Sequence, residues 1–329
     1  MTDIARKTYF PGLDLLKFIL AIMIIAAHCR LFEEFSDVKV LADRLFSIAV
    51  PLFFAMSAFF FVRKIDALDE GDKRERFSKT IKRLIILFGI WYVLMLPMTW
   101  FKWWNVATLK ETVFALFLSC TLNGYWFIKA LIINTAILFL CRDKKAMTLL
   151  FAISIIVYLF FAYNYIFHYL PIDLSPYYSF YYHTSYFCVG AIMARYYDKT
   201  RLFDISTLAL VGLWVVLFIL SSYLPIDPLY RFFSIALIFP IFERMDLKCG
   251  ERLKTMRNMS IILYMVQFVL IWLYDGACDR WLEPESIQYS VLQFSVVRFL
   301  VVLSIAIAIA RMILALERMP KMGFLKYLH

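Results

Sequence analysis

Long stretches without a charged residue alternate along the chain with short clusters rich in Lys and Arg. A helix needs roughly 17–25 mostly apolar residues to cross a bilayer. By that measure spans are expected at about 11–31, 45–62, 84–101, 124–141, 146–163, 178–197, 205–224, 229–243, 258–275 and 290–311. The stretch 112–141 is apolar apart from Lys129, too long for one crossing and too short for two. Asn123-Gly124 supplies a break there, so 112–122 is expected as a short outer or re-entrant helix. A transmembrane barrel would show segments of about ten residues with alternating polarity. These runs are uniformly apolar, and helices satisfy their own backbone groups in lipid. The expected fold is an all-α, polytopic membrane bundle of about ten transmembrane helices, forming one domain over 1–329. The first run lacks a small-residue cleavage site and is expected to stay as a span rather than act as a signal peptide. No internal repeat is visible, so an inverted-repeat transporter gains no support.

Composition sharpens this picture. The chain is 63% hydrophobic and 18% charged, with a mean hydropathy of +0.74. Soluble domains carry about 45–50% apolar and about 25% charged residues. A disordered chain, a collagen-like chain and a nucleic-acid-binding globule are excluded, and a soluble enzyme is disfavoured. The net charge of +10 is therefore read through its placement. Of the 35 Lys and Arg residues, 25 fall on the side that a ten-span chain gives to both termini, six fall opposite, and four lie within spans. That bias puts both termini in the cytoplasm of an integral, multi-pass inner-membrane protein, with membrane lipids as partners and no nucleic acid. The six cysteines form no CxxC pair, and no metal site is expected.

An ionisable group at membrane depth faces the bundle interior and needs a reason to be there. The densest set lies on the first span, GLDLLKFILAIMIIAAHC, with Asp14, Lys17 and His28. Lys17 and His28 are eleven residues apart, which on a helix leaves them about 20° from alignment and roughly 16 Å apart in height. Asp14, three residues before Lys17, can pair with it. A cation near the cytoplasmic entrance and an imidazole in the outer half thus share one stripe. Lys17 alone could simply snorkel to the interface. The pair on one face favours function, with His28 as a general base for a hydroxyl or amine and Lys17 meeting an anionic ligand.

The pattern Lys17-x10-His28, with an acid three positions before the cation, resembles the first span of the acyltransferase-3 family of integral membrane acyltransferases. VPLFFAMSAFFFVRK at 50–64, GYWFIKALI at 124–132, SYFCVGAIMA at 185–194 and SIILYMVQ at 260–267 resemble later spans of that family, in order along the chain. Gln267 stands where many relatives carry a second His. An amide cannot take a proton at neutral pH, so the base role falls on His28 alone. The extracytoplasmic domain attached to some relatives is expected to be absent. The resemblance implies transfer of an acyl group, commonly acetyl from cytoplasmic acetyl-CoA, to a hydroxyl or amine of an envelope saccharide or lipid-linked precursor. Acyl-CoA is then a co-substrate rather than a resident cofactor.

Other positions keep two readings. Arg76, Lys79 and Arg83 share one face of a helix leading into the third span, with Lys82 beside them. They could bind the phosphates of CoA or anchor the chain to anionic lipid. Lys129, one turn after Trp126, could stabilise an oxyanion on the thioester carbonyl, or bridge to Glu33 or Glu34. Arg231 and Arg298, in the outer third of two spans, could bind an acceptor or snorkel outward. YYSFYYHTSY at 177–186, with Tyr182 and His183, could stack on a sugar or mark the interface. The leading rival function is a transporter or flippase of a small polar solute that uses the same intramembrane charges.

Overall fold

A computed structural model describes residues 9–103, 126–167, 180–196, 205–248, 250–320 and 322–329. The described residues are helical, with no strand among them. In chain order the helices are α1 (Pro11–His28), α2 (Ser36–Phe46), α3 (Ala49–Asp66), α4 (Glu70–Trp103), α5 (Trp126–Leu140) and α6 (Lys144–Phe167). They continue as α7 (Phe180–Tyr196), α8 (Thr207–Tyr223), α9 (Asp227–Arg244), α10 (Gly250–Trp281), α11 (Ile287–Gln293) and α12 (Ser295–Glu317), followed by a 3-10 turn at Gly323–Leu328. Among the described residues, five stretches are long and apolar enough to cross a membrane: Pro11–His28, Ser36–Asp66, Lys144–Asn164, Gly250–Trp281 and Ser295–Glu317. α5 and α8 are shorter apolar helices. The expected re-entrant helix at 112–122 lies outside the described residues.

α2 has no counterpart among the expected spans. It carries Asp37, Lys39, Asp43 and Arg44 within eleven residues, so a search for charge-free runs passes over it. Its Val38, Val40 and Leu41 are exposed.

Lipid tails are as apolar as leucine, so helices in a membrane associate by close packing and small residues rather than by hydrophobic burial alone. The bundle follows that logic. Its most extensive contacts join α3 to α7 and α1 to α10. α7 is buried along most of its length, whereas α8 buries only Leu210 and Ser221 and turns Leu208, Leu213 and Val216 outward. Two glycines set the closest approaches. A Cβ on Gly190 of α7 would lie 1.9 Å from the Ala55 carbonyl oxygen of α3. A Cβ on Gly12 of α1 would lie 1.9 Å from the Phe242 carbonyl oxygen of α9.

Two buried polar networks inside the bundle are satisfied by neighbours, as a low-dielectric interior favours. Thr184 Oγ1 donates to Asn134 Oδ1 at 2.7 Å, and Asn134 Nδ2 donates to the Phe180 carbonyl at 3.2 Å. Tyr186 donates to Tyr158 at 2.8 Å, which donates to the Pro228 carbonyl at 2.7 Å.

Candidate functional site

α1 begins with Pro11, whose fixed φ and missing N–H suit a first helical position. It ends in a tight cap just after His28. The Leu31 N–H bonds the Ala26 carbonyl at 3.0 Å and the Arg30 N–H bonds the Ala27 carbonyl at 3.1 Å. This is a Schellman cap, with Arg30 at the left-handed position that glycine normally fills. Arg30 has φ 53° and Phe32 has φ 69°. Such positions cost side-chain-bearing residues on the order of 1–3 kcal/mol and persist only where surrounding structure holds them.

The holding group is Glu34. α12 starts after Phe294, which has no side chain able to cap it. Glu34, in the turn after α1, supplies the cap. The Ser295 backbone N–H donates to Glu34 Oε1 at 2.7 Å, and the Ser295 hydroxyl donates to Oε2. The Phe32 N–H donates to Ser295 Oγ at 2.9 Å, and Phe35 meets Phe294 edge-on at 6.0 Å. Burial pushes the Glu34 carboxyl up, but the Ser295 bonds outweigh it and hold the group below the usual carboxylate range.

The turn opens onto a pocket of about 440 Å³ lined by His28, Arg30, Asp275, Asp279, Tyr289 and Arg298, with Gln293 beside them. The His28 ring is exposed and packs on Phe268 with centroids 4.6 Å apart. Arg298 forms an ion pair with Asp275, and Tyr289 donates to Asp279 at 2.9 Å. The side chains converging here are almost all polar, an arrangement suited to a hydroxyl-rich ligand.

The other end of α1 borders a second pocket, of about 570 Å³, lined by Phe10, Phe60, Arg63, Lys64, Arg76 and Lys79, with Asp72 and Glu75 as its acids. The Lys17 ammonium sits over the Phe60 ring, 4.2 Å from its centroid. Asp14 is buried, 4.0 Å from Lys17 and 3.6 Å from Arg257. Lys17 lies within electrostatic reach of Lys64, Arg83 and Arg257. Lys17, Lys64, Arg83 and Arg257, four cations near one buried carboxylate, make this end electropositive, and a polyanion would relieve the repulsion between them.

The structure brings some expected residues together and separates others. His28 and Arg298 share the outer pocket, and Arg76 and Lys79 share the inner one, while Lys17 sits beside it over the ring of Phe60. Lys79 also pairs with Glu75. Lys82 and Arg83 are exposed and do not line it, and Arg83 donates to the His329 carbonyl at 2.9 Å. Lys129 is half-buried on α5 and lines neither pocket. Its expected partners are engaged elsewhere: Glu33 meets Lys39 at 3.3 Å and Arg30 at 3.5 Å, and Glu34 caps α12. Glu33 is exposed and outside the outer pocket.

Four further residues line neither pocket. Tyr182 is not an outer stacking platform; it is 3% exposed and packs on Tyr158 with centroids 4.8 Å apart. His183 is likewise internal, stacked between Phe54 at 4.8 Å and a half-buried Trp126 at 4.7 Å. Arg231 is held by Asp227 at 2.6 Å, which also pairs with Arg44, and does not line the outer pocket. Gln267 is fully buried, with its Nε2 donating to the Tyr264 carbonyl at 3.0 Å.

Sequence reasoning missed Arg30, Asp275, Asp279 and Tyr289 in the outer pocket, and Arg63, Lys64 and Arg257 at the inner one. Asp275 carried a readable signal: it is an acid at the outer end of an apolar run, opposite the arginine of the next span. The inner cations were counted only as part of the charge bias.

A family profile described as an acyltransferase domain matches residues 10–313. The chain is also similar to an amino-acid racemase of Enterococcus faecalis, 27% identical over 162 residues, which make up 47% of this chain and 22% of that protein. It thus spans less than a quarter of that relative's length. No solved structure matches.

Proposed function

The chain belongs to the acyltransferase-3 family of membrane acyltransferases, and from that premise we propose that it moves an acetyl group from cytoplasmic acetyl-CoA to a hydroxyl of an envelope saccharide or lipid-linked sugar. The observation that carries this reading is the placement of two pockets on one helix. α1 sets Lys17 beside the cationic inner pocket and His28 in the polar outer pocket, roughly 16 Å apart along the axis. A thioester donor with an anionic head and a long thin arm fits that separation.

In this reading the bundle crosses the inner membrane ten times with both termini in the cytoplasm, as the distribution of Lys and Arg supports. The phosphates of CoA rest among Arg63, Lys64, Arg76 and Lys79, with Lys17 at the entrance to the membrane interior. His28 takes the proton of the acceptor hydroxyl. The hydroxyl oxygen attacks the thioester carbonyl carbon, the C–S bond breaks, and the CoA thiolate leaves and is reprotonated.

Purified protein supplied with acetyl-CoA and an extract of envelope glycans and lipid-linked sugars is expected to release free CoA, with matching base-labile acetyl in the extract. Uptake of a solute into proteoliposomes without CoA release would overturn the reading in favour of transport. Lys17→Ala is expected to weaken acetyl-CoA binding by about tenfold, and Lys17→Arg far less, because either cation can meet a phosphate. Calorimetric titration with acetyl-CoA checks this. Unchanged affinity in Lys17→Ala would leave Lys17 as the structural partner of Asp14.

A further inference from the structure

The end of α1 contains a choice that packing does not explain. The Schellman position after His28 is occupied by Arg30 at φ 53°, where glycine would carry no steric penalty. The hydrophobic part of the cap is satisfied without it, since Leu31 and Ala26 are both buried. Arg30 contributes only its backbone to the cap, while its side chain lines the outer pocket. The two arginines of that pocket differ in availability. Arg298 is 15% exposed and bound to Asp275, whereas Arg30 is 68% exposed and, among the described residues, pairs with Glu33 at 3.5 Å. Exposed pairs of that kind contribute little and exchange readily for a better partner.

We infer that Arg30 is a specificity residue of this enzyme: its guanidinium meets the oxygen atoms next to the acceptor hydroxyl that is acylated. The inference rests on the acyl-transfer reading above, which puts the acceptor in the outer pocket. The planar fork of five N–H donors suits neighbouring oxygens on a sugar ring or on a linked phosphate. Arg30, with its left-handed backbone, lines the same pocket as His28. Glu34 is the positioning residue. Its carboxylate bonds Ser295 through both oxygens, and the Ser295 hydroxyl holds the Phe32 N–H. One clamp therefore fixes the turn that carries Arg30 and the first turn of α12, where the Arg298 N–H bonds the Phe294 carbonyl at 3.0 Å.

The test uses Arg30→Gly and Arg30→Asn, because glycine and asparagine both accept the left-handed conformation. Full-length protein in detergent is titrated with the envelope extract at saturating acetyl-CoA, and separately with acetyl-CoA at fixed extract. Melting is followed with and without extract. Both variants are expected to melt at or above the wild-type temperature and to keep the wild-type half-saturation for acetyl-CoA. They should need about tenfold more extract for half-maximal CoA release, and the extract should no longer raise their melting temperature. Wild-type half-saturation by extract in Arg30→Gly would overturn the assignment, as would an equal loss of acetyl-CoA saturation. A wild-type protein that releases no CoA and is not stabilised by extract would instead defeat the acyl-transfer reading itself, without reference to any variant.

Discussion

His28→Ala is expected to lower acyl transfer by about 10²–10⁴-fold, the usual contribution of a general base, with the protein still folded and still binding acetyl-CoA. The side chain makes this separation clean. The imidazole packs on Phe268 and is exposed at the end of α1, so its loss opens no cavity in the core. The inner pocket lies at the opposite end of the helix, and donor binding is left alone. His28→Gln should be almost as inactive, because an amide keeps hydrogen bonding but cannot accept the proton. Gln267→His should at most tune turnover, since residue 267 is fully buried and bonded to the Tyr264 carbonyl. Steady-state CoA release together with acetyl-CoA titration checks all three. Retention of more than about a tenth of wild-type turnover in His28→Ala would remove the base assignment and turn attention to Lys129.

The helical character of the chain was legible because apolar runs of span length have few other uses, and the structure forms helices over them. The shared stripe of Lys17 and His28 was legible for the same reason: a helix converts a spacing of eleven into a common face. What the runs do not encode is which neighbour a polar residue meets. Arg231 looks like a free intramembrane cation, yet Asp227, one turn before it, accounts for it. That pairing at i, i+4 could have been read from spacing alone. Arg298 and Asp275 meet across two helices, and only packing reveals them. Tyr182 and His183 show the opposite failure. Aromatic residues at the end of a run suit an interface and a core equally, and α7 is buried along most of its length. The turn after His28 was invisible for a different reason. Nothing in Cys-Arg-Leu-Phe announces a left-handed backbone, because the usual marker is glycine, and the group that holds the turn is Glu34, working through Ser295.

Gly190→Ala should be the most damaging small substitution in the bundle. A Cβ there would lie 1.9, 2.6 and 2.7 Å from the carbonyl oxygen, carbonyl carbon and Cα of Ala55. Those are backbone atoms, so no side chain can swing aside, and α3 and α7 must separate along their most extensive contact. Overpacking ordinarily costs about 1–3 kcal/mol and more where the backbone must move, so a loss of about 3 kcal/mol or more is expected. Membrane helices gain little from hydrophobic burial against one another, which leaves few other contributions to offset that loss. Gly212→Ala is the matched control. Gly212 lies in the middle of α8 with nothing within 4 Å of a Cβ, and alanine there should stabilise the helix by up to about 1 kcal/mol. Melting in detergent and the recovered fraction of monodisperse protein should move in opposite directions for the two variants. Equal melting temperatures would show that α3 and α7 do not approach as closely as described. Folded Gly190→Ala should also bind acetyl-CoA more weakly, because α3 carries Phe60, Arg63 and Lys64 into the inner pocket, and any shift of that helix displaces all three.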